Sequence, residues 1–179
     1  MDWITGLPPC GPLGYNAIYT VVNRTTQAIR LSPCILGVGK MSAEATAKLF
    51  FDGIVRHYGL PDEVLHDRDP QFTAYFWTSL WKVLGSRAVF SSAYHPQTDG
   101  RTERMHRTIE KAICCLLAER NLSEDMWCEL LGFIEFAINC AVAEGTGQVL
   151  AELTIGELPR SPLCVVVQAG SYAGAGDFV

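Results

Sequence analysis

The order in which two hydrophobic periods follow one another constrains the fold of this chain more than any other feature. Up to residue 33 the pattern is that of strands. Ile4 precedes the turn material Gly6-Leu7-Pro8-Pro9 and Gly11-Pro12. Ala17-Ile18-Tyr19-Thr20-Val21-Val22 is rich in β-branched and aromatic residues, and Ala28-Ile29-Arg30-Leu31 returns after the polar break Asn23-Arg24-Thr25. Three such segments with short links predict an antiparallel meander. From Ser42, a helix cap, the period lengthens: Ala47, Phe50, Phe51, Ile54 and Val55 recur at helical spacing until Gly59. A strand at Glu63-Val64-Leu65-His66, a helix from Thr73 carrying Phe76, Trp77, Leu80 and Val83, and a strand at Arg87-Ala88-Val89-Phe90-Ser91 follow. The turn residues of Tyr94–Gly100 predict a loop. Thr98 or Asp99 then caps a helix over about 100–119, with Met105, Ile109, Ala112, Ile113 and Leu116 buried and Glu103, His106, Arg107 and Glu110 wet. Ser123 opens a last helix with Trp127, Leu130, Leu131, Ile134 and Ile138. A meander followed by alternating helices and strands predicts an α/β fold, a mixed sheet with helices on both faces.

Composition narrows the class. With 179 residues, 49% apolar and 18% charged, the chain reads as a single globular domain and not as a disordered one. No apolar run reaches the roughly 18 residues of a membrane span. Met1-Asp2-Trp3-Ile4 lacks a basic leader region, so no signal peptide and no secretion are expected. The cysteine count, 7, is odd and no C-x-x-C occurs, which predicts reduced, mostly buried thiols. His57, His66, His95 and His106 do not pair with cysteines at zinc-finger spacing. A net charge of −5 excludes bulk attraction to nucleic acid, so any DNA binding must use a local basic surface.

Three carboxylates fall where this topology can gather them. Asp2 sits on the first strand, Asp67 directly follows the strand at 63–66, and Glu103 lies in the first turn of the helix from 100. If the first and fourth strands are neighbours, Asp2 and Asp67 can point at one spot and Glu103 can be presented over it. Crowded carboxylates repel and stay ionised only with cations between them. Magnesium suits oxygen ligands, and two ions about 4 Å apart clamp the attacking and leaving oxygens of a phosphoryl transfer. By spacing alone, solvated loop charges and a helix N-terminal Glu are the commoner explanation of these acids.

Two blocks add specificity. Asp67-Arg68-Asp69-Pro70-Gln71-Phe72-Thr73 and Tyr94-His95-Pro96-Gln97-Thr98-Asp99-Gly100-Arg101-Thr102-Glu103-Arg104 resemble the hallmark blocks of gypsy-type LTR-retrotransposon integrase catalytic cores. Met1-Asp2-Trp3-Ile4-Thr5-Gly6-Leu7-Pro8 is similar to the block around the first catalytic Asp of that family. Between Asp67 and Glu103 stand 35 residues, the spacing of the Asp, Asp-35-Glu signature shared with retroviral integrases. Glu135-Phe136-Ala137-Ile138-Asn139 and Gly156-Glu157-Leu158-Pro159-Arg160-Ser161-Pro162-Leu163 resemble later blocks.

The resemblance implies a ribonuclease H-like fold, a five-stranded mixed sheet flanked by helices, with a catalytic core over 1–163 and a divergent, flexible tail over 164–179. It implies that Asp2, Asp67 and Glu103 are catalytic and hold two Mg²⁺ or Mn²⁺ ions. It implies DNA integration: 3′-end processing of retroelement ends, then strand transfer into host DNA, in the nucleus after cytoplasmic synthesis. DNA contacts are expected from His95, Gln97, Arg101, Arg104, Arg107 and Lys111. The parent's zinc-binding and carboxy-terminal domains are expected as partners, along with further copies of the core. The first strand is expected to be truncated, leaving Asp2 poorly held unless it is paired on both sides. His66 and His106 stand where the family usually has Ser and often has Asn; Asn23, Ala143 and Leu150-Ala151 also depart from it. Two rival readings are an inactive relic that keeps the fold and some binding, and a nuclease acting on RNA–DNA hybrids.

Overall fold

The computed structural model describes residues 1–37, 41–66, 80–81, 84–90, 96–142, 147–157 and 159, with the backbone alone for 88–90 and 96–102. Strands β1 (Asp2–Ile4), β2 (Ala17–Val22) and β3 (Ile29–Cys34) form the expected meander, antiparallel and in the order β1-β2-β3. Asp2 lies opposite Thr20, and Thr20 opposite Leu31. Strands β4 (Glu63–His66) and β5 (Arg87–Phe90) pair in parallel, a pairing that requires a crossover connection between them. The two ladders meet where the Met1 ammonium donates to the Leu65 carbonyl at 2.8 Å. Among the described residues there are thus five strands, three in one ladder and two in the other.

Strand β2 is buried on both faces, and its alternation sorts the molecule into layers. Ile18 packs with Ile4, Ile29 and Leu31 under α3 (Pro96–Glu119) and α4 (Trp127–Asn139), against Ile109, Ile113, Trp127, Leu130 and Ile134. Ala17 and Tyr19 point the other way, with Cys34, Phe50, Val64 and Trp81. On that side lie α1 (Ala43–Phe50), a π-helical turn (Phe51–Val55) and α2 (Arg56–Tyr58), capped by Ser42 and ended by Gly59 at φ +79°. Successive helical residues point about 100° apart, so this helix buries Phe50 and leaves Phe51 56% exposed, contrary to the expectation that both are inward. Helices therefore cover both faces.

Other boundaries move. Helix α3 starts at Pro96, not near 100, so Thr98 and Asp99 lie inside it and do not cap it. Proline with its fixed φ suits a first helical turn, and that outweighs the breakers Asp99 and Gly100. A 3-10 turn (Glu124–Met126) separates Ser123 from α4. A short helix, α5 (Leu150–Ile155), follows the point where the periodicity fades. The helix expected from Thr73 and the tail from 164 lie outside the described residues, apart from the helical positions Leu80, Trp81 and Leu84.

The cysteines correct another expectation. Cys10, fully buried after β1, is disulfide-bonded to Cys128 at the start of α4, with Cα atoms 6.0 Å apart. Beside the bond, Trp127 Nε1 donates to the Pro8 carbonyl at 2.8 Å. Cys34 is buried, and burial pushes its thiol up to about 12, so it stays neutral at neutral pH. Cys114 and Cys115 are exposed, because α3 turns Ile109 and Ile113 inward instead.

The backbone of β3 that faces away from β2 is served by α4. Asn139 accepts from Ile29 N–H at 2.8 Å and donates to Ile29 C=O at 2.9 Å. Glu135 accepts from Leu31 N–H at 2.7 Å and from Arg30 at 2.5 Å. This is the physical content of the block at 135–139. Among the described residues, no helix is long and apolar enough to cross a membrane.

Candidate functional site

Asp2 and Ile4 share the face of β1 that looks toward α3. The Asp2 carboxylate uses Oδ1 to accept from the Trp3 N–H at 2.8 Å. Its Oδ2 lies 3.9 Å from Nε2 of His106 on α3. The same nitrogen is 3.3 Å from Oγ1 of Thr20, the buried residue opposite Asp2 in the ladder. Strand β1 is thus paired with β2 on one side, and the Met1–Leu65 hydrogen bond ties its start to β4 on the other. These are the two-sided contacts that the expectation for Asp2 made its condition.

Glu103 stands one helical turn before His106. Its carboxylate is exposed and paired with Arg107 one turn on, Oε1 to Nη2 at 2.5 Å. Asp67 lies outside the described residues; His66, immediately before it, is the buried last residue of β4. The structure therefore brings the β1 carboxylate to the helix turn that bears Glu103, beside the strand that leads to Asp67. Among the described residues, no three His, Cys, Asp or Glu side chains converge closely enough to hold a metal ion. A cleft of about 1110 Å³ runs from Met1, Asp2 and Thr20 along the β2–β3 hairpin to Tyr58, the start of β4 and Arg87; Asp2 lies at its edge, and neither Glu103 nor His106 lines it.

Of the expected DNA contacts, Arg104, Arg107 and Lys111 are exposed and fall at spacings of three and four on α3, which puts them along one helical face. Gln97 and Arg101 belong to the first turns of the same helix, without described side chains, and His95 lies outside the described residues. Sequence reasoning missed His106 and Thr20. It assigned His106 to the wet stripe, whereas the side chain is only 16% exposed. The register of β1 on β2 was the signal that could have found it, because it puts Thr20 beneath the same helix turn as Asp2.

No family model matches the chain. Over 146 residues, 82% of the chain, it is 33% identical to the Transposon Tf2-3 polyprotein of Schizosaccharomyces pombe. The match spans about a tenth of the length of that relative (10%). Among solved structures, the catalytic core of BIV integrase superposes with a TM-score of 0.60 at 18% identity, over 78% of this chain and 86% of that one. The HTLV-2 integrase catalytic core in complex with magnesium gives 0.61 at 15% identity, over 84% and 99%. The fold is the ribonuclease H-like fold of integrase catalytic cores. The chain is thus similar in sequence to a segment of a retrotransposon polyprotein and in fold to retroviral integrase catalytic cores, in keeping with the gypsy-type resemblance of its motifs.

Proposed function

We propose that the chain is the catalytic core of a polynucleotidyl transferase that integrates gypsy-type retroelement DNA. Such an enzyme trims the 3′ ends of the element and joins them to host DNA. The observation that carries this reading is the meeting of β1 and α3. It brings Asp2 beside the turn from Glu103 to His106, next to the strand running into Asp67, in a relative of transposon polyproteins. The donor chemistry fits a hard divalent cation. Asp2, Asp67 and Glu103 are all-oxygen donors, and the Asp2 side chain is 37% exposed over an open groove. These three residues would hold two magnesium or manganese ions, which when bound activate the attacking oxygen and stabilise the leaving one.

The chain's own part is placement. Glu103 must exchange Arg107 for the site, an exposed i,i+4 pair worth only about 0.3–0.5 kcal/mol, so the exchange costs little. Arg104, Arg107 and Lys111 then lie along phosphates, with His95, Gln97 and Arg101 nearer the reacting strand. The partners in this reading are element ends, host DNA, the other domains of the polyprotein and further copies of the core, working in the nucleus. The test is disintegration of branched DNA with Mn²⁺. Glu103→Gln, which keeps shape and removes a charge, is expected to lower the rate by roughly 10² or more, and EDTA to abolish it. Activity indifferent to both overturns the assignment. Preference for RNA–DNA hybrids moves it to the nuclease class, and inactivity of the wild type to a relic.

A further inference from the structure

We infer that His106, together with Thr20, is a positioning residue for the metal-binding carboxylate of Asp2. The inference deepens the function proposed above and rests on it. Asp2 belongs to a strand of three residues, and a short strand leaves the torsions of its side chain to local contacts. One oxygen, Oδ1, is engaged by the Trp3 N–H. The other, Oδ2, looks at His106 Nε2 across 3.9 Å. That nitrogen is anchored in turn at 3.3 Å on the hydroxyl of Thr20, which is 1% exposed and sits directly across the ladder from Asp2.

The carboxylate is therefore bounded on three sides. The backbone N–H of Trp3 holds one oxygen, Thr20 stands beside it on the same face of the sheet, and the imidazole covers it from α3. The side chain keeps 37% of its surface exposed. Because His106 is one turn from Glu103, the imidazole also sets the distance between the strand that carries one carboxylate and the helix that carries another. Ligands of a working site must be held to about half an ångström. His106 acts through Asp2 and takes no part in bond making.

The experiment is a Mn²⁺ titration of the full chain, following loss of the free-ion EPR signal, with circular dichroism to confirm folding. His106→Ala is expected to weaken Mn²⁺ binding about tenfold, the scale of losing a group that orients a metal ligand. His106→Gln, whose amide nitrogen reaches about as far as Nε2, should recover most of it. Thr20→Val, which keeps shape and removes the hydroxyl, should weaken binding in the same direction and decides the matter if the Ala variant does not fold. Asp2→Asn is the control. If it abolishes binding while His106→Ala and Thr20→Val bind as wild type, the positioning role is wrong and the metal site stands. If Asp2→Asn leaves binding unchanged, the metal site is wrong and the inference falls with it.

Discussion

At the β3 side of the sheet, α4 is fixed by apolar packing, by the bond from Cys128 to Cys10, and by hydrogen bonds from Glu135 and Asn139 to the strand. At the β1 side, a three-residue strand is held by its pairing with β2, one hydrogen bond from Met1, and a threonine–histidine contact. The first region turns Glu135 and Asn139 onto its own strand backbone. The second leaves a carboxylate half open to a groove. In the function proposed above, rigidity is supplied at a distance from the chemistry, because a site that takes up cations and phosphate cannot also bury and satisfy its own donors.

The comparison can be broken most severely at Trp127. It is 1% exposed, so Trp127→Ala should cost about 3–5 kcal/mol of stability, read from denaturant unfolding. A loss below about 1 kcal/mol would show that α4 is not the support of the fold. Reduction of Cys10–Cys128 comes next. The bond spans 118 residues, and losing a native crosslink typically costs about 2–5 kcal/mol, seen as a lower urea midpoint with reductant. Identical midpoints with and without reductant would remove the disulfide from the account. Asn139→Ala is smaller, about 1–3 kcal/mol, because it deprives both Ile29 backbone groups of that partner. Faster amide exchange at Ile29 is the specific readout.

The smallest effect tests the open region. Arg104→Ala and Arg107→Ala should each reduce the log–log salt slope of DNA binding by about 1 while leaving stability within about 0.5 kcal/mol. An unchanged slope would assign these residues to solvated surface.

What was legible in the sequence follows the same division. β2 appears where its β-branched run puts it, and β4 at the expected 63–66, because a strand buried on one or both faces writes its period into the chain. The buried stripe of α3 was legible for the same reason, through Ile109 and Ile113. Its start was not, since Pro96, Asp99 and Gly100 send opposed local signals that tertiary placement resolves. The partnership of Cys10 with Cys128 has no local trace, because proximity across 118 residues is a property of the packed layers. His106 was misread because it lies at the border between the wet and buried stripes of α3. Only the pairing of Asp2 with Thr20 reveals what that border faces.

The hydrogen bonds from α4 to β3 also govern how copies of the chain can meet. An extended segment approaching β3 finds the amides of Ile29 and Leu31 already donating and the Ile29 carbonyl already accepting. It would have to break these three bonds before making its own, which lowers the gain from continuing the sheet from molecule to molecule. Association through this flank is left to side-chain surfaces, where strength depends on fit and on the area removed from water. Contacts of that kind form and dissolve without unpicking a backbone ladder.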